Sequence, residues 1–222
     1  MRKLTVVIAA MLAIALLFAG CGKEEPNIKD APGVDLPEGY DEPGTQEFAS
    51  LSDALNTLAD PDANMFVRKT TTAEAFLNTL QNGNNSALRL STGETGDAVI
   101  PAGDYSNTAV VFDAPNMGLS SDAALGDVLV EAIGEAGLIL HAGVKSLTVT
   151  GENVTVTLEG GAEHIYVQGK NCTLRLAGGA FGSILSVNQT VTIENKTDAD
   201  VTVYMANGAA QTLAAGKTLS FE

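Results

Sequence analysis

Apolar residues alternate with polar ones through the second half of the chain and recur at nearly constant intervals. Apolar residues two positions apart share one face of a strand. One series of such pairs, with steps of 18, 19, 18, 20, 18 and 16 residues, is Val110/Phe112, Val128/Val130, Leu147/Val149, Ile165/Val167, Leu185/Val187, Val203/Met205 and Leu219/Phe221. A second series, with steps of 16, 18 and 19 residues, is Leu138/Leu140, Val154/Val156, Cys172/Leu174 and Val191/Ile193. Two short strands per interval predict the coils of a stacked β-solenoid.

The same period appears as a direct repeat of the sequence. Residues 146–163, SLTVTGENVTVTLEGGAE, match residues 164–181, HIYVQGKNCTLRLAGGAF, at eight of 18 positions. The predicted fold is therefore all-β: a single-stranded parallel β-helix of about seven coils of 18–20 residues over 107–222. At about 4.8 Å per rung, the rod is roughly 30 Å long. Parallel crossovers are right-handed in most folds, so we expect a right-handed coil. A left-handed helix of six-residue sides fits less well, because its regular apolar-Gly hexapeptide is missing.

Asparagines recur with the coils, at intervals of 18, 17 and 19 residues: Asn153, Asn171, Asn188 and Asn207. Asparagine tolerates the left-handed conformation that a coil corner requires, and its amide can bond to the amide one coil above. The spacing predicts a structural asparagine ladder. Contact with a glycan is the other interpretation of these side chains.

The region before the coils, residues 48–106, is predicted to hold a helical cap and the first strands. Apolar residues at helical spacing over 48–59 are Phe48, Leu51, Leu55 and Leu58, and Asp60-Pro61-Asp62 ends that helix. A second short helix is expected over 72–80, short strands over 87–90 and 98–100, and a turn over 101–105. Residues 122–136 fit both a helix and a strand. The strand is favoured because the ladder continues on both sides.

The chain begins with two basic residues and an apolar run from Val6 to Gly20. This run is shorter than the roughly 20 residues that a spanning helix needs, and it is typical of a secretory signal peptide over residues 1–20. The sequence Leu17-Phe18-Ala19-Gly20-Cys21 resembles a bacterial lipobox, although Phe18 stands where leucine is usual. The resemblance implies cleavage between Gly20 and Cys21 and lipidation of the Cys21 thiol, for example by palmitate. An ordinary signal peptide or an uncleaved anchor is the alternative.

Residues 21–47 contain many Gly, Pro, Glu and Asp residues and few apolar ones, so they cannot order themselves by burial. We expect a disordered acidic tether that holds the domain off the membrane, although a tail without a role has the same composition. The whole chain has 12 basic and 27 acidic residues, a net charge of −15. This acidity argues against a nucleic-acid partner, because phosphate binding needs a basic surface.

The order of elements, with a short amphipathic helix, a strand, Pro101-Ala102-Gly103-Asp104-Tyr105 and then stacked coils, suggests a family. It resembles the right-handed parallel β-helix proteins of the pectate-lyase-like superfamily over about residues 70–222. That resemblance implies the scaffold. The family's clustered Asp residues, and the Arg, Lys or His that act with them, cannot be placed in this chain, so its polysaccharide lyase or hydrolase activity is the minority interpretation.

Few residues suggest a catalytic or binding role, and no catalytic residue, metal ligand or cofactor site is predicted. His141 and His164 lack metal-ligand spacing and are expected on strand surfaces. Cys172 takes the place of Val154 in the preceding coil, which predicts a thiol packed in the core. Three acidic residues at turns are expected to be solvated: Glu159, Glu163 and Glu194. The aromatic and basic candidates for contact with a glycan are Tyr166, Arg175 and Tyr204.

Three functions remain as hypotheses. The first is a non-catalytic, lipid-anchored β-solenoid on the outer face of a bacterial membrane, secreted by the general route, with a role in adhesion, spacing or envelope contact. The second is a carbohydrate-binding or carbohydrate-processing β-helix, which requires Tyr166, Arg175 or Tyr204 on one exposed face. The third is docking of an envelope protein at the C-terminal end of the rod, because Phe221-Glu222 would leave the last edge without a cap.

Overall fold

A computed structural model describes residues 67–82, 87–186, 190–205 and 209–220. The helix predicted over 48–59, the tether and the signal segment lie outside these residues. Helix α1 spans Ala73–Asn82. The strands are β1 Val67–Thr70, β2 Ala87–Ser91, β3 Gly96–Ile100, β4 Asp104–Tyr105, β5 Ala109–Ala114, β6 Met117–Ser121, β7 Ala124–Ile133, β8 Leu138–Leu140, β9 Val144–Val149, β10 Thr155–Leu158, β11 Ala162–Val167, β12 Thr173–Leu176, β13 Phe181–Ser186, β14 Thr192–Asn195, β15 Val201–Met205, β16 Ala210–Leu213 and β17 Thr218–Ser220.

The strands stack into a β-solenoid of about seven turns, which confirms the predicted fold class. Each coil gives one strand to each of two sheets. Sheet A runs β1-β2-β5-β7-β9-β11-β13-β15-β16, with β4 beside β7, and sheet B runs β17-β14-β12-β10-β8-β6-β3. The inward side chains of both sheets meet in one apolar core. Strand β7 occupies most of the stretch 122–136, so the strand prediction there is confirmed and the helix is excluded.

Most predicted rungs have the expected register. Val110 pairs with Val128, Val128 with Leu147, and Leu147 with Ile165. Two rungs within the parallel part of the stack differ from the prediction. In sheet B, Leu138 lies beside Val156 rather than Val154, a shift of two residues that keeps the same face inward. In sheet A, Ile184 pairs with Ile165, where the sequence indicated Leu185. The one-residue error arose because the apolar run there, Ile184-Leu185, gives both faces of β13 an apolar side chain.

Stacked glycines allow neighbouring coils to approach closely. The repeat aligns Gly151 with Gly169, and a Cβ on Gly169 would lie only 1.9 Å from the carbonyl oxygen of Gly151. At the next corner Gly161 and Gly179 have positive φ values of 86° and 82°. The identities between the two repeats therefore include positions where a side chain would strike the backbone of the adjacent coil.

Helix α1 closes the N-terminal end of the core. The Thr72 hydroxyl accepts a hydrogen bond from Ala75 N at 3.1 Å, which satisfies an amide of the first turn. The buried Phe76 and Leu80 face the core, and the Phe76 ring lies 5.7 Å from that of Phe112, between centroids. No helix in the described ranges is long and apolar enough to cross a bilayer.

At the C-terminal end of the stack the chain reverses direction. Strand β16 pairs antiparallel with β15, and β17 pairs antiparallel with β14. The prediction of Leu219/Phe221 as a last parallel rung in the first series is therefore wrong, because Leu219 lies in sheet B beside Ile193. Strands β16 and β17 are the last strands of sheets A and B, so docking of a partner at this end stays a prediction. Alternation of apolar residues is the same in parallel and antiparallel strands, so it did not reveal the reversal.

Candidate functional site

The outward face of sheet A is buried along its middle. Five outward-facing residues, one from each successive strand β5, β7, β9, β11 and β13, form what we call the outer strip. They are Val111, Leu129, Thr148, Tyr166 and Leu185, and none is more than 1 % exposed. Val111 and Leu129 form an apolar cluster with Val67, Ala87 and Ala109 that is separate from the main core. The Tyr166 hydroxyl accepts a hydrogen bond from Gln168 Nε2 at 2.9 Å.

A polar row runs beside the outer strip, and it brings together three residue types used in acid–base and nucleophilic chemistry. Asp127, Ser146 and His164 are register partners on β7, β9 and β11. The Ser146 hydroxyl donates to Asp127 Oδ1 at 2.6 Å. Asp127 and Ser146 are buried, 8 % and 2 % exposed, while His164 is half-buried.

Burial raises the pKa of the Asp127 carboxyl, and it outweighs the hydrogen bond from Ser146 and the charges of Lys145 and His164, which lower it. In a serine hydrolase the histidine lies between serine and carboxylate. Here the serine bonds the carboxylate directly and is only 2 % exposed. A substrate therefore has little access to the Ser146 hydroxyl in this arrangement.

A second polar cluster flanks the strip at its N-terminal end. Arg89 Nη2 lies 2.6 Å from Glu131 Oε2 and 3.1 Å from Asp113 Oδ2, and Ser91 Oγ donates to Asp113 at 2.8 Å. Glu131 lies at a bulge, where the register shifts between Phe112 and Asp113 so that Asp113 pairs with Ala132. Burial lowers the pKa of the Arg89 guanidinium, but the hydrogen bonds and charges of Glu131 and Asp113 outweigh burial and raise it. This cluster neutralises a buried cation within the sheet.

The outward face of sheet B differs, because it is polar and open. Two rows of side chains follow its registers: Thr155, Thr173, Thr192 and Ser220 in one, and Thr157, Arg175, Glu194 and Thr218 in the other. Arg175 is exposed and lies 3.4 Å from Glu194 Oε2, measured from Nε. Lys196 Nζ is 3.4 Å from the same oxygen. Hydroxyls and one shared carboxylate thus form a regular surface.

The structure separates the three residues predicted to contact a glycan. Tyr166 and Tyr204 lie in one row of sheet A with Leu185 between them, whereas Arg175 is on the outer face of sheet B. Tyr166 is completely buried, and Tyr204 is half-buried. Of the three residues, Arg175 is the exposed one, so contact with a glycan stays a prediction that now rests on Arg175.

The predicted asparagines and Cys172 occupy positions that stabilise the coils. Asn153 and Asn171 have positive φ values of 59° and 54°, and Asn171 Nδ2 donates to Asn153 Oδ1 at 3.3 Å. Asn188 and Asn207 lie outside the described residues, as do Gly20 and Cys21. Cys172 is 3 % exposed in the core, and its thiol donates to Gly151 O at 3.1 Å. Burial raises the pKa of this thiol, so it is poorly suited to act as a nucleophile.

The two histidines lie in different parts of the molecule, each near acidic side chains. His141 is exposed at the edge of sheet B, with Nδ1 2.7 Å from Glu159 Oε2 and Nε2 4.0 Å from Asp122 Oδ1. Glu163 is exposed as expected, but it lies in β11 and Glu194 lies in β14, so the prediction that these two residues stand at turns is wrong. His164 belongs to the polar row of sheet A and is half-buried. No group of three or more His, Cys, Asp or Glu side chains in the described part of the chain could hold a metal ion.

The polar row was missed in the sequence, although a signal was present. Asp127, Ser146 and His164 are spaced by 19 and 18 residues, the period of the coils. Residues one coil apart share a face, so the period of the coils predicts that these three residues align. It does not predict that they are buried, because outward positions of a solenoid are ordinarily solvated.

Comparison with known proteins gives no match, whether to a protein-family model, to a curated protein or to a solved structure. The class that the fold defines is a parallel β-solenoid.

Proposed function

We propose that the protein is a lipid-anchored, non-catalytic β-solenoid of the bacterial cell envelope, which serves adhesion, spacing or contact between envelope components. Lipidated Cys21 would hold it on the outer face of the membrane after secretion. The acidic tether of residues 21–47 would separate the rod from the bilayer. We also propose kinship of the rod with the pectate-lyase-like superfamily, supported by α1 at the N-terminal end of stacked parallel coils.

The observation that carries the proposal is a stack with one main core, which begins at α1 and ends at the antiparallel strands β16 and β17. A helix at one end and reversed strands at the other interrupt the parallel stacking, which suits a separate rigid body better than a unit that continues end to end. Several surface charges are paired along the coils, as in Lys170–Glu152 and Arg175–Glu194. The buried Ser146 and Asp127 also favour a structural role over catalysis.

Membrane attachment is tested by fractionation of cells that produce the full chain. Cys21→Ser is expected to move the protein from the membrane to the soluble fraction and to abolish incorporation of labelled palmitate. Cys172→Val is the matched control, because it removes the other cysteine from the core and should leave both properties unchanged. Membrane retention of Cys21→Ser would instead indicate an uncleaved anchor. Release of products from a panel of polysaccharides would contradict the non-catalytic role.

Carbohydrate binding is the second candidate, and the outer face of sheet B favours it. Rows of threonine hydroxyls beside Arg175 and Glu194 offer regular hydrogen-bonding groups to a polymer with repeating hydroxyls. Affinity electrophoresis of the unlipidated full chain, Cys21→Ser, in gels that contain plant, host or cell-wall polysaccharides tests this candidate. Retardation that Arg175→Ala and Thr157→Val abolish would support it. Absence of retardation on every polymer would eliminate binding to that panel.

A further inference from the structure

The outer strip is buried although it lies on the outside of the solenoid. Its central side chains, Leu129, Thr148 and Tyr166, are 0 % exposed. Sheet B provides the comparison within the same molecule, because its outward Thr157 is half-buried and its outward Arg175 is exposed. Neighbours within a sheet alone therefore do not bury an outward side chain completely, and a further group lies over the strip.

The described elements do not supply that cover. Helix α1 packs beside β1 and β2 and turns Phe76 into the core, at the end of the stack. Strand β4 extends sheet A beside β7. Among the described helices and strands, none packs on the outward side of β9, β11 or β13.

The cover is apolar where it meets the centre of the strip. Thr148 Oγ1 is buried without a hydrogen-bond partner, and burial of an unpaired hydroxyl is unfavourable. A polar or hydrated cover would have offered that hydroxyl a partner. Val111, Leu129 and Leu185 around it are apolar as well.

We propose that residues 48–66 of this chain lie across the outer strip, with Phe48, Leu51, Leu55 and Leu58 packed against it as one face of an amphipathic helix. Val67, which directly follows this segment, is 7 % exposed and belongs to the outward cluster with Ala109 and Val111. The described structure therefore begins at a residue on the outward face of sheet A, the same face that carries the outer strip.

Length supports this occupant. The strip crosses five strands, a distance of about 19 Å at roughly 4.8 Å per step. A helix over 48–59 is about 18 Å long at 1.5 Å per residue. The seven residues from 60 to 66 can extend over roughly 23–25 Å, enough to reach Val67 from either end of the strip. The tether would then leave the flank of the solenoid rather than its end.

Reactivity of Tyr166 tests the proposal in the full chain with Cys21→Ser. The double variant Leu51→Asp/Leu55→Asp should make Tyr166 reactive toward nitration, as mapped by mass spectrometry. The matched control, Asn56→Asp/Thr57→Asp, adds the same charge on the polar side and should leave Tyr166 protected. Equal protection of Tyr166 in both variants, with a monomer by sedimentation, would overturn the proposal. Protection that is lost only when a dimer dissociates would assign the cover to a second copy and would also overturn it.

A second measurement does not depend on a disrupted variant. The chain has no tryptophan, so Phe48→Trp gives a single reporter. Its emission should be blue-shifted and shielded from acrylamide, and Leu129→Ala on the strip should weaken the shielding. Emission of a solvated tryptophan in the folded protein would refute the proposal.

Discussion

At the residue scale, two kinds of position can be distinguished. Some require one residue type because neighbouring coils approach closely, and others are core positions that several apolar residues could fill. Gly169 is of the first kind, because its Cα faces the backbone of the coil below. Cys172 is of the second kind, since valine occupies the same position in the coils on either side, at Val154 and Val191. The burial of Cys172 was predicted from that pattern and is confirmed.

Gly169→Ala is expected to lower the free energy of unfolding by about 1–3 kcal/mol, because the new methyl group would overlap the Gly151 carbonyl and force the coils apart. The measurement is urea denaturation followed by circular dichroism. Gly93→Ala is the control, because a Cβ there meets nothing within 4 Å. Equal stability of the two variants would show that the contact between coils relaxes without cost.

Asp127→Asn is expected to raise the free energy of unfolding at pH 7, because burial penalises the charged carboxylate and not the neutral amide. Burial raises the pKa of Asp127 in the folded protein, so its contribution is fully present below the unfolded pKa and is lost as pH rises through the folded pKa. The advantage of Asn, which stays neutral and can still accept from Ser146, should shrink toward pH 4. Denaturation at several pH values measures it, with the exposed Asp198→Asn as control. A pH-independent loss of stability would contradict this assignment.

At the element scale, the antiparallel strands β16 and β17 depend on one buried amide. Asn195 continues the inward row Leu158–Leu176 but is itself polar and 0 % exposed. Its Nδ2 donates to Ala199 O at 2.8 Å and to Leu213 O at 3.1 Å, and its Oδ1 accepts from Thr197 N and Oγ1. The amide thus connects the last parallel rung to the turn after it and to the returning strand β16.

Asn195→Ala should destabilise the protein by roughly 2–3 kcal/mol, because several buried backbone and hydroxyl groups would lose partners. Hydrogen exchange should show the earliest loss of protection in β16 and β17. Asn116→Ala is the control, since Asn116 is exposed and makes a single bond of 3.5 Å to Gly93 O. Uniform loss of protection along all coils would argue against a local closing role.

At the scale of the whole molecule, charge opposes compaction. The chain carries a net charge of −15, and ion pairs such as Lys170–Glu152, 3.8 Å apart with both side chains exposed, contribute little stability. Mutual repulsion of the acidic groups therefore acts across the entire rod.

Raising the ionic strength from about 0.01 to 0.15 M shortens the Debye length from about 30 to 8 Å, and Tm should rise at pH 7. Differential scanning calorimetry at the two ionic strengths measures the effect. Near the sequence pI of about 4.3 the repulsion vanishes, so the same salt step should change Tm little. A fall in Tm at pH 7 would show that attractive pairs dominate.

The sequence determined the solenoid, its period and most of its registers. In a stacked coil each residue contacts the residue one period away. The spacing of Val128, Leu147 and Ile165 therefore predicts that they are neighbours. The tertiary structure decided the rest. Strand direction at β16 and β17 depends on how the chain turns, and burial of Tyr166 and Thr148 depends on what lies over the sheet. Neither property appears in the alternation of apolar residues, because alternation specifies which side chains share a face and not what that face meets.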